Sequence, residues 1–243
     1  MDIKTRPVEY FDGKQKCIGY LAWDDSVDSA RPCVLIGHAW SGLDDFAQDK
    51  AIQMAAMGYV GFAIDVYGDG ALPQDNEAKG QAMTAIKSDR SVLLTRVKAG
   101  MKAAAKLPEV DESAMAMMGF CFGGLCTLDL ARSGAPLKAA ISFHGFLDAP
   151  TLPAKNIKAK VLAAHGYDDP MVPSDQIIAF GDEMTKAGVD WQLLALGRTS
   201  HAFMVPSAND KKLGLLFNEN SERRAWLAAL GLLDEVFALH GVA

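Results

Sequence analysis

The residues best suited to chemistry lie in Gly119-Phe120-Cys121-Phe122-Gly123-Gly124, where a thiol stands between glycines two positions to either side. An apolar run, 114–118, precedes them and Leu125-Cys126-Thr127-Leu128-Asp129-Leu130 comes after. The order strand, sharp turn, helix matches a nucleophile elbow, G-x-S-x-G, with Cys in place of Ser. The central residue of such a turn is strained, and glycines at the flanking positions let strand and helix approach closely enough to hold it. The sulfur then sits at a helix N-terminus, where free N–H groups and the dipole favour an anion, so a thiol of ordinary pKa about 8.5 ionises more readily there. The plain alternative is a glycine-rich turn around a packed cysteine.

The later part of the chain favours chemistry. An elbow nucleophile needs an acid after a later strand and a histidine after the last one, in that order. The run 161–164 leads into His165-Gly166-Tyr167-Asp168-Asp169-Pro170-Met171-Val172-Pro173, and the run 191–196 into Gly197-Arg198-Thr199-Ser200-His201-Ala202-Phe203. His201 is the expected proton acceptor for Cys121, with a carboxylate orienting its imidazole. Asp169 is the preferred acid because Pro170, with its fixed φ, anchors the loop behind it; Asp168 is the second choice. An oxyanion would be met by the N–H of Phe122 and by one from the loop His38-Ala39-Trp40-Ser41-Gly42-Leu43, with Trp40 the candidate.

Positioning these groups requires a sheet. Val8 to Phe11 and Cys17 to Trp23 flank Asp12-Gly13, a hairpin signal. Short unbroken apolar runs then recur at 33–37, 59–65, 114–118, 139–143, 161–164 and 191–196, as in strands buried on both faces of a parallel sheet. Helical stretches are expected between and after them, at 46–57, 80–106, 124–132, 175–187 and 221–239. The alternation predicts one α/β domain over 1–243, a mostly parallel doubly wound sheet with an antiparallel N-terminal edge and ligands at the carboxyl ends of its strands.

The 243 residues are half apolar and carry a formal charge of −6. Disorder and small disulfide scaffolds are thereby excluded, and a chain of this length buries roughly 70–75% of its extended surface. No basic face suits nucleic acid. The four cysteines, at 17, 33, 121 and 126, lack C-x-x-C spacing, which fits free thiols in a reducing compartment. The N-terminus has no secretory h-region, and the longest uncharged apolar stretch, 113–128, is too short and too glycine-rich to span a membrane. A cytoplasmic location is expected. No Cys/His spacing suggests a metal, no G-x-G-x-x-G comes after the first parallel strand, and no cofactor is expected.

Together, the elbow G-x-C-x-G, the H-G-x-x-D-P-x-V-P segment, Ser200-His201-Ala202-Phe203 and the H-x-x-x-G-L loop at 38–43 resemble the dienelactone hydrolase family over about residues 8–240. The resemblance implies an α/β-hydrolase fold without a lid domain. It also implies a Cys-His-Asp triad, carried here by Cys121, His201 and Asp169, that hydrolyses a lactone or ester through a thioester without a metal. Better-known members carry Glu directly after the loop histidine and Arg four residues after the catalytic histidine; here these positions are Ala39 and Val205. Without that Arg a buried anionic substrate lacks its partner, which favours a neutral or differently anchored ester or lactone. Without that Glu, Cys121 should pair directly with His201.

Pocket candidates are His38, Ala39, His144, Arg198 and Phe203. His38 and His165 read first as hydrogen-bonded structural residues, His240 as a solvated residue of the last helix, and Arg90, Arg96, Arg223 and Arg224 as a solvated face. A silent hydrolase scaffold that binds a small molecule or a partner protein is the alternative reading, and thiol–disulfide exchange a third.

Overall fold

Gly13, at φ +58°, turns the chain between β1 (Ile3–Asp12) and β2 (Gln15–Asp24), which pair antiparallel from Ile3 opposite Asp24 to Asp12 opposite Gln15. The computed structural model describes residues 1–150 and 153–238. The chain divides into two compact units, Met1–Met117 and Met118–Ala243.

In the first unit, β3 (Arg31–Gly37) and β4 (Val60–Ile64) pair in parallel, β4 pairs antiparallel with β2, and the strand order is β1-β2-β4-β3-β5. All five residues of β4 are buried, as its unbroken apolar sequence requires. Helix α1 (Asp45–Ala56) is capped by Asp44, whose side chain accepts from the Ala47 N–H. It lies directly on β4: a Cβ on Gly61 would stand 2.6 Å from the Ala51 Cα.

The single helix expected over 80–106 is two helices, α2 (Asn76–Lys87) and α3 (Arg90–Ala104). Asp89 leaves helical geometry, at φ −116° and ψ 90°, and its carboxylate accepts from the N–H groups of Ser91 and Val92, starting a new helix. Arg96 is a second correction. It is buried rather than solvated, donating from Nε to Asp12 and from a terminal nitrogen to the carbonyls of Val66 and Tyr67. Arg223 and Arg224 are exposed as expected, and Arg90 is half-buried.

Strand β5 (Val110–Phe120) runs from the first unit into the second, which contains α4 (Phe122–Arg132), β6 (Ala139–Phe143), β7 (Lys160–Gly166), α5 (Ser174–Lys186), β8 (Trp191–Leu196) and α6 (Glu219–Phe237). Strands β6, β7 and β8 are parallel neighbours in that order. β8 is half exposed, not buried on both faces as its apolar sequence suggested, because it ends the strand order. Two short strands not foreseen, β9 (Asn209–Asp210) and β10 (Leu215–Leu216), form an antiparallel pair after the β8 loop. The alternation of strands and helices, mostly parallel with an antiparallel N-terminal pair, is the expected α/β class. His240 lies outside the described residues. No described helix is long and apolar enough to cross a membrane.

Candidate active site

Cys121 occupies the one-residue turn between β5 and α4 at φ +54° and ψ −114°, a conformation that L-residues adopt only under constraint. The constraint is visible at the neighbouring glycines. A Cβ on Gly119 would drive into the Gly123 carbonyl, and one on Gly124 would stand 2.8 Å from the Gly145 Cα. The Cys121 N–H donates to the Phe143 carbonyl at 3.0 Å, and its own carbonyl accepts from the Gly124 N–H at 3.0 Å. Cys121 thereby stands at the N-terminus of α4, with Phe122 as the first helical residue.

Asp169 and His201 lie on the loops after β7 and β8. These loops are sewn together: Tyr167 N–H donates to Leu196 O and Asp168 N–H to Thr199 O, both at 2.9 Å. A Cβ on Gly166 would lie 2.5 Å from the carbonyl oxygens of Thr199 and Ser200, so only glycine permits the approach. Asp168 is exposed, whereas Asp169 is buried, accepts from the Met171 N–H at 2.8 Å through Oδ1, and meets His201 Nδ1 at 2.7 Å through Oδ2. The second choice of acid is therefore away from the imidazole.

Burial by itself lowers the basicity of His201, but it is outweighed by the negative charge of the Cys121 sulfur and the hydrogen bond to Asp169. The net effect raises its pKa from 6.5 to about 10. Nε2 is buried and makes no hydrogen bond among the described residues, so it is the ring nitrogen left for a reacting group, and the Cys121 sulfur acts on the ring through its charge. The arrangement suits a thiolate–imidazolium pair, with one face of the imidazole held by a carboxylate and the other turned to a nucleophile.

Around His201 the walls are aromatic. Phe146 lies 6.0 Å away between ring centroids, and His144 meets His201 edge-on at 5.1 Å. His144 packs in turn against buried Phe203 at 5.2 Å. His144 is fully buried at φ +38°, and neither ring nitrogen has a hydrogen-bond partner among the described residues. Its pKa is pushed well below 6.5, first by burial and then by the His201 charge, so it stays neutral beside an imidazolium. His165 is also buried, and the Val172 backbone interacts with its ring.

Arg198, a pocket candidate, is exposed at φ +55°, with its carbonyl accepting from Asn218. In the first unit, His38 Nε2 accepts from the Val66 N–H at 3.1 Å. Nδ1 therefore carries the proton and faces the Ala39 carbonyl at 2.6 Å. Ala39 and Trp40 are half-buried, and the Trp40 carbonyl accepts from the Tyr67 hydroxyl at 2.9 Å. Among the described residues no group of three or more His, Cys, Asp or Glu is arranged to hold a metal ion. Sequence reasoning missed the β9–β10 pair beside His201. Its two-residue strands have no periodicity to find, and Gly214 in a lysine- and leucine-rich stretch looks like any turn glycine.

Known proteins share this arrangement of elements. The dienelactone hydrolase family model matches residues 18–237. A crystal structure described as a dienelactone hydrolase-like promiscuous phosphotriesterase, P91, from metagenomic libraries superposes with a TM-score of 0.93 at 36% identity, covering 98% of this chain and 100% of that one. A protein of Aquifex aeolicus named "Putative carboxymethylenebutenolidase" is 27% identical, over 84% of this chain and 88% of its own length. A Bradyrhizobium protein named "Probable 2-oxo-3-(5-oxofuran-2-ylidene)propanoate lactonase" is also 27% identical, over 76% and 78%.

Proposed function

The chain belongs to the dienelactone hydrolase family and is a hydrolase of esters or lactones; on that premise we propose that Cys121, His201 and Asp169 form its catalytic triad. The Cys121 thiolate attacks the substrate carbonyl, forming a C–S bond and a tetrahedral oxyanion. The Phe122 N–H stabilises that oxyanion. As the oxyanion collapses, the C–O bond to the leaving group breaks and His201 Nε2 supplies its proton to the departing alkoxide. Neutral His201 then deprotonates a water that attacks the thioester. The acid is released, and the sulfur leaves as thiolate beside the restored imidazolium. Asp169 holds Nδ1–H throughout and keeps Nε2 turned to the reaction.

The observation that carries this reading is the buried imidazole: Nδ1 is 2.7 Å from a buried carboxylate, while Nε2 on the other side of the ring is buried and makes no hydrogen bond among the described residues, with the Cys121 charge acting on the ring. With Ala39 and Val205 where better-known members carry Glu and Arg, the substrate is a neutral or differently anchored ester or lactone. The test is hydrolysis of a p-nitrophenyl acetate panel by wild type, Cys121→Ala and His201→Ala. Loss of rate in both variants is expected, and equal rates in all three would favour a silent scaffold. A neutral phosphotriester belongs in the panel because of the activity named for P91. Cys121-dependent turnover would extend the substrate class, and its absence would confine it to carboxylic esters.

A further inference from the structure

The short β9–β10 pair makes more contacts to the base loop than its size suggests. Ser200 Oγ donates to the Gly214 carbonyl at 2.6 Å. Leu215 bridges His201 in parallel, and the Leu216 N–H donates to the His201 carbonyl at 2.9 Å. Beyond the pair, the Asn218 N–H donates to the Phe203 carbonyl at 3.3 Å. The turn is built locally, with the Asp210 carboxylate accepting from the N–H groups of Lys212 and Leu213.

Gly214 is the point where this pair reaches the acid loop as well. Its φ is +69°, and a Cβ there would stand 2.5 Å from Pro170 Cγ, 2.9 Å from Pro170 Cδ and 3.1 Å from Ser200 Oγ. Pro170 comes directly after Asp169, and Ser200 directly precedes His201. A proline ring has no rotamer that swings it clear, so a side chain at 214 must displace the backbone next to the acid, the hydroxyl next to the base, or both.

We propose that Gly214, with the Ser200 hydroxyl bonded to its carbonyl, is a positioning clamp that sets the separation of Asp169 and His201. The clamp rests on the triad reading above. Neither residue touches the reacting atoms; they act through the loops that carry the acid and the base. Clamping is useful here because Asp169 and His201 lie just past the backbone bonds that sew the two loops together, Tyr167 to Leu196 and Asp168 to Thr199, and a mismatch of about 1 Å at a catalytic pair can cost about 100-fold in rate.

The test compares Gly214→Ala, Ser200→Ala and Ser200→Thr by p-nitrophenyl acetate kinetics and by the pH dependence of Cys121 alkylation with iodoacetamide, with Cys121→Ala as the unlabelled control. Gly214→Ala should lower kcat about 10- to 100-fold with KM within about twofold. It should also move the alkylation midpoint upward, since a weakened Asp169–His201 bond leaves a less basic imidazole to hold the thiolate. Ser200→Ala should move both readouts the same way by a smaller amount, and Ser200→Thr, which keeps the hydroxyl, should recover most of the loss. If Gly214→Ala does not fold, the two Ser200 variants carry the test by themselves. A folded Gly214→Ala with wild-type kcat and midpoint, alongside an inactive Cys121→Ala, overturns the clamp alone. Equal kcat for Ser200→Ala and wild type does the same. Full activity in Cys121→Ala overturns the triad reading, and the clamp with it.

Discussion

Replacing Asp169 with Asn tests the triad at its least ambiguous bond. The substitution keeps size and shape, and the local geometry dictates how the amide must sit. The Met171 N–H donates to Oδ1 at 2.8 Å, so an amide oxygen belongs on that side, and the NH2 is left facing His201 Nδ1 where Oδ2 stood at 2.7 Å. Two donors cannot share that contact, so His201 must accept there and carry its proton on Nε2. The tautomer is then wrong for taking the thiol proton. The site is buried, with the His201 side chain 1% exposed, so water does not relieve the conflict. General-base assistance contributes roughly 100- to 10,000-fold, and kcat on p-nitrophenyl acetate should fall about 1,000-fold with KM little changed. Alkylation of Cys121 by iodoacetamide at pH 7 should slow, because the thiol loses its proton acceptor. Because the variant still fills the site, the folded state should lose no more than about 3 kcal/mol in urea unfolding. Asp168→Asn, altering an exposed neighbour, is the companion control, expected within about threefold of wild type. A folded Asp169→Asn that retains kcat within about threefold of wild type would falsify the assignment of Asp169.

Three further outcomes rest on named contacts. His201 is raised from 6.5 to about 10, so the stability it contributes is present below pH 6.5 and is lost as pH rises through about 10. The unfolding free energy of wild type in urea should drop more between pH 7 and 10.5 than that of His201→Gln, by up to roughly 4 kcal/mol, and parallel slopes would contradict the pair. Gly119→Ala forces a Cβ into the Gly123 carbonyl and should cost about 3 kcal/mol or more together with most of the esterase activity; a fully stable, active variant would show that the elbow tolerates a side chain. Arg96→Met strands the buried carbonyl of Val66 and the half-buried one of Tyr67 and should cost about 3 kcal/mol, whereas Arg223→Met, on an exposed residue, should change stability by about 0.5 kcal/mol or less. Equal effects of the two would mean that the Arg96 bonds are not formed in solution.

The two arginines illustrate where sequence reading stops. A cation on a helix is solvated unless its neighbours in space supply acceptors, and those of Arg96 come from Asp12 and from the carbonyls after β4, 30 or more positions away for all but one of them. The break in the 80–106 stretch was closer to legible, since Asp89 followed by Ser91 and Val92 is a capping signal within three residues. The half-exposed β8 was not, because an apolar strand looks the same at the edge of a sheet as in its middle.

For the chemistry, the division is sharper. Spacing by itself pointed to the elbow at Cys121 and to an acid and a histidine following it in order, because each depends on residues within a few positions of one another and on the rule that active groups come after strand ends. Which of two adjacent acids turns inward was beyond it. The tertiary structure decided for Asp169 by burying it against His201 and leaving Asp168 in solvent. The neutral His144 packed edge-on against His201, and Gly214 wedged between Pro170 and Ser200, were likewise decided only on folding. Those contacts join segments up to 57 positions apart in the chain, and no local pattern encodes a distance that only the closing of the sheet creates.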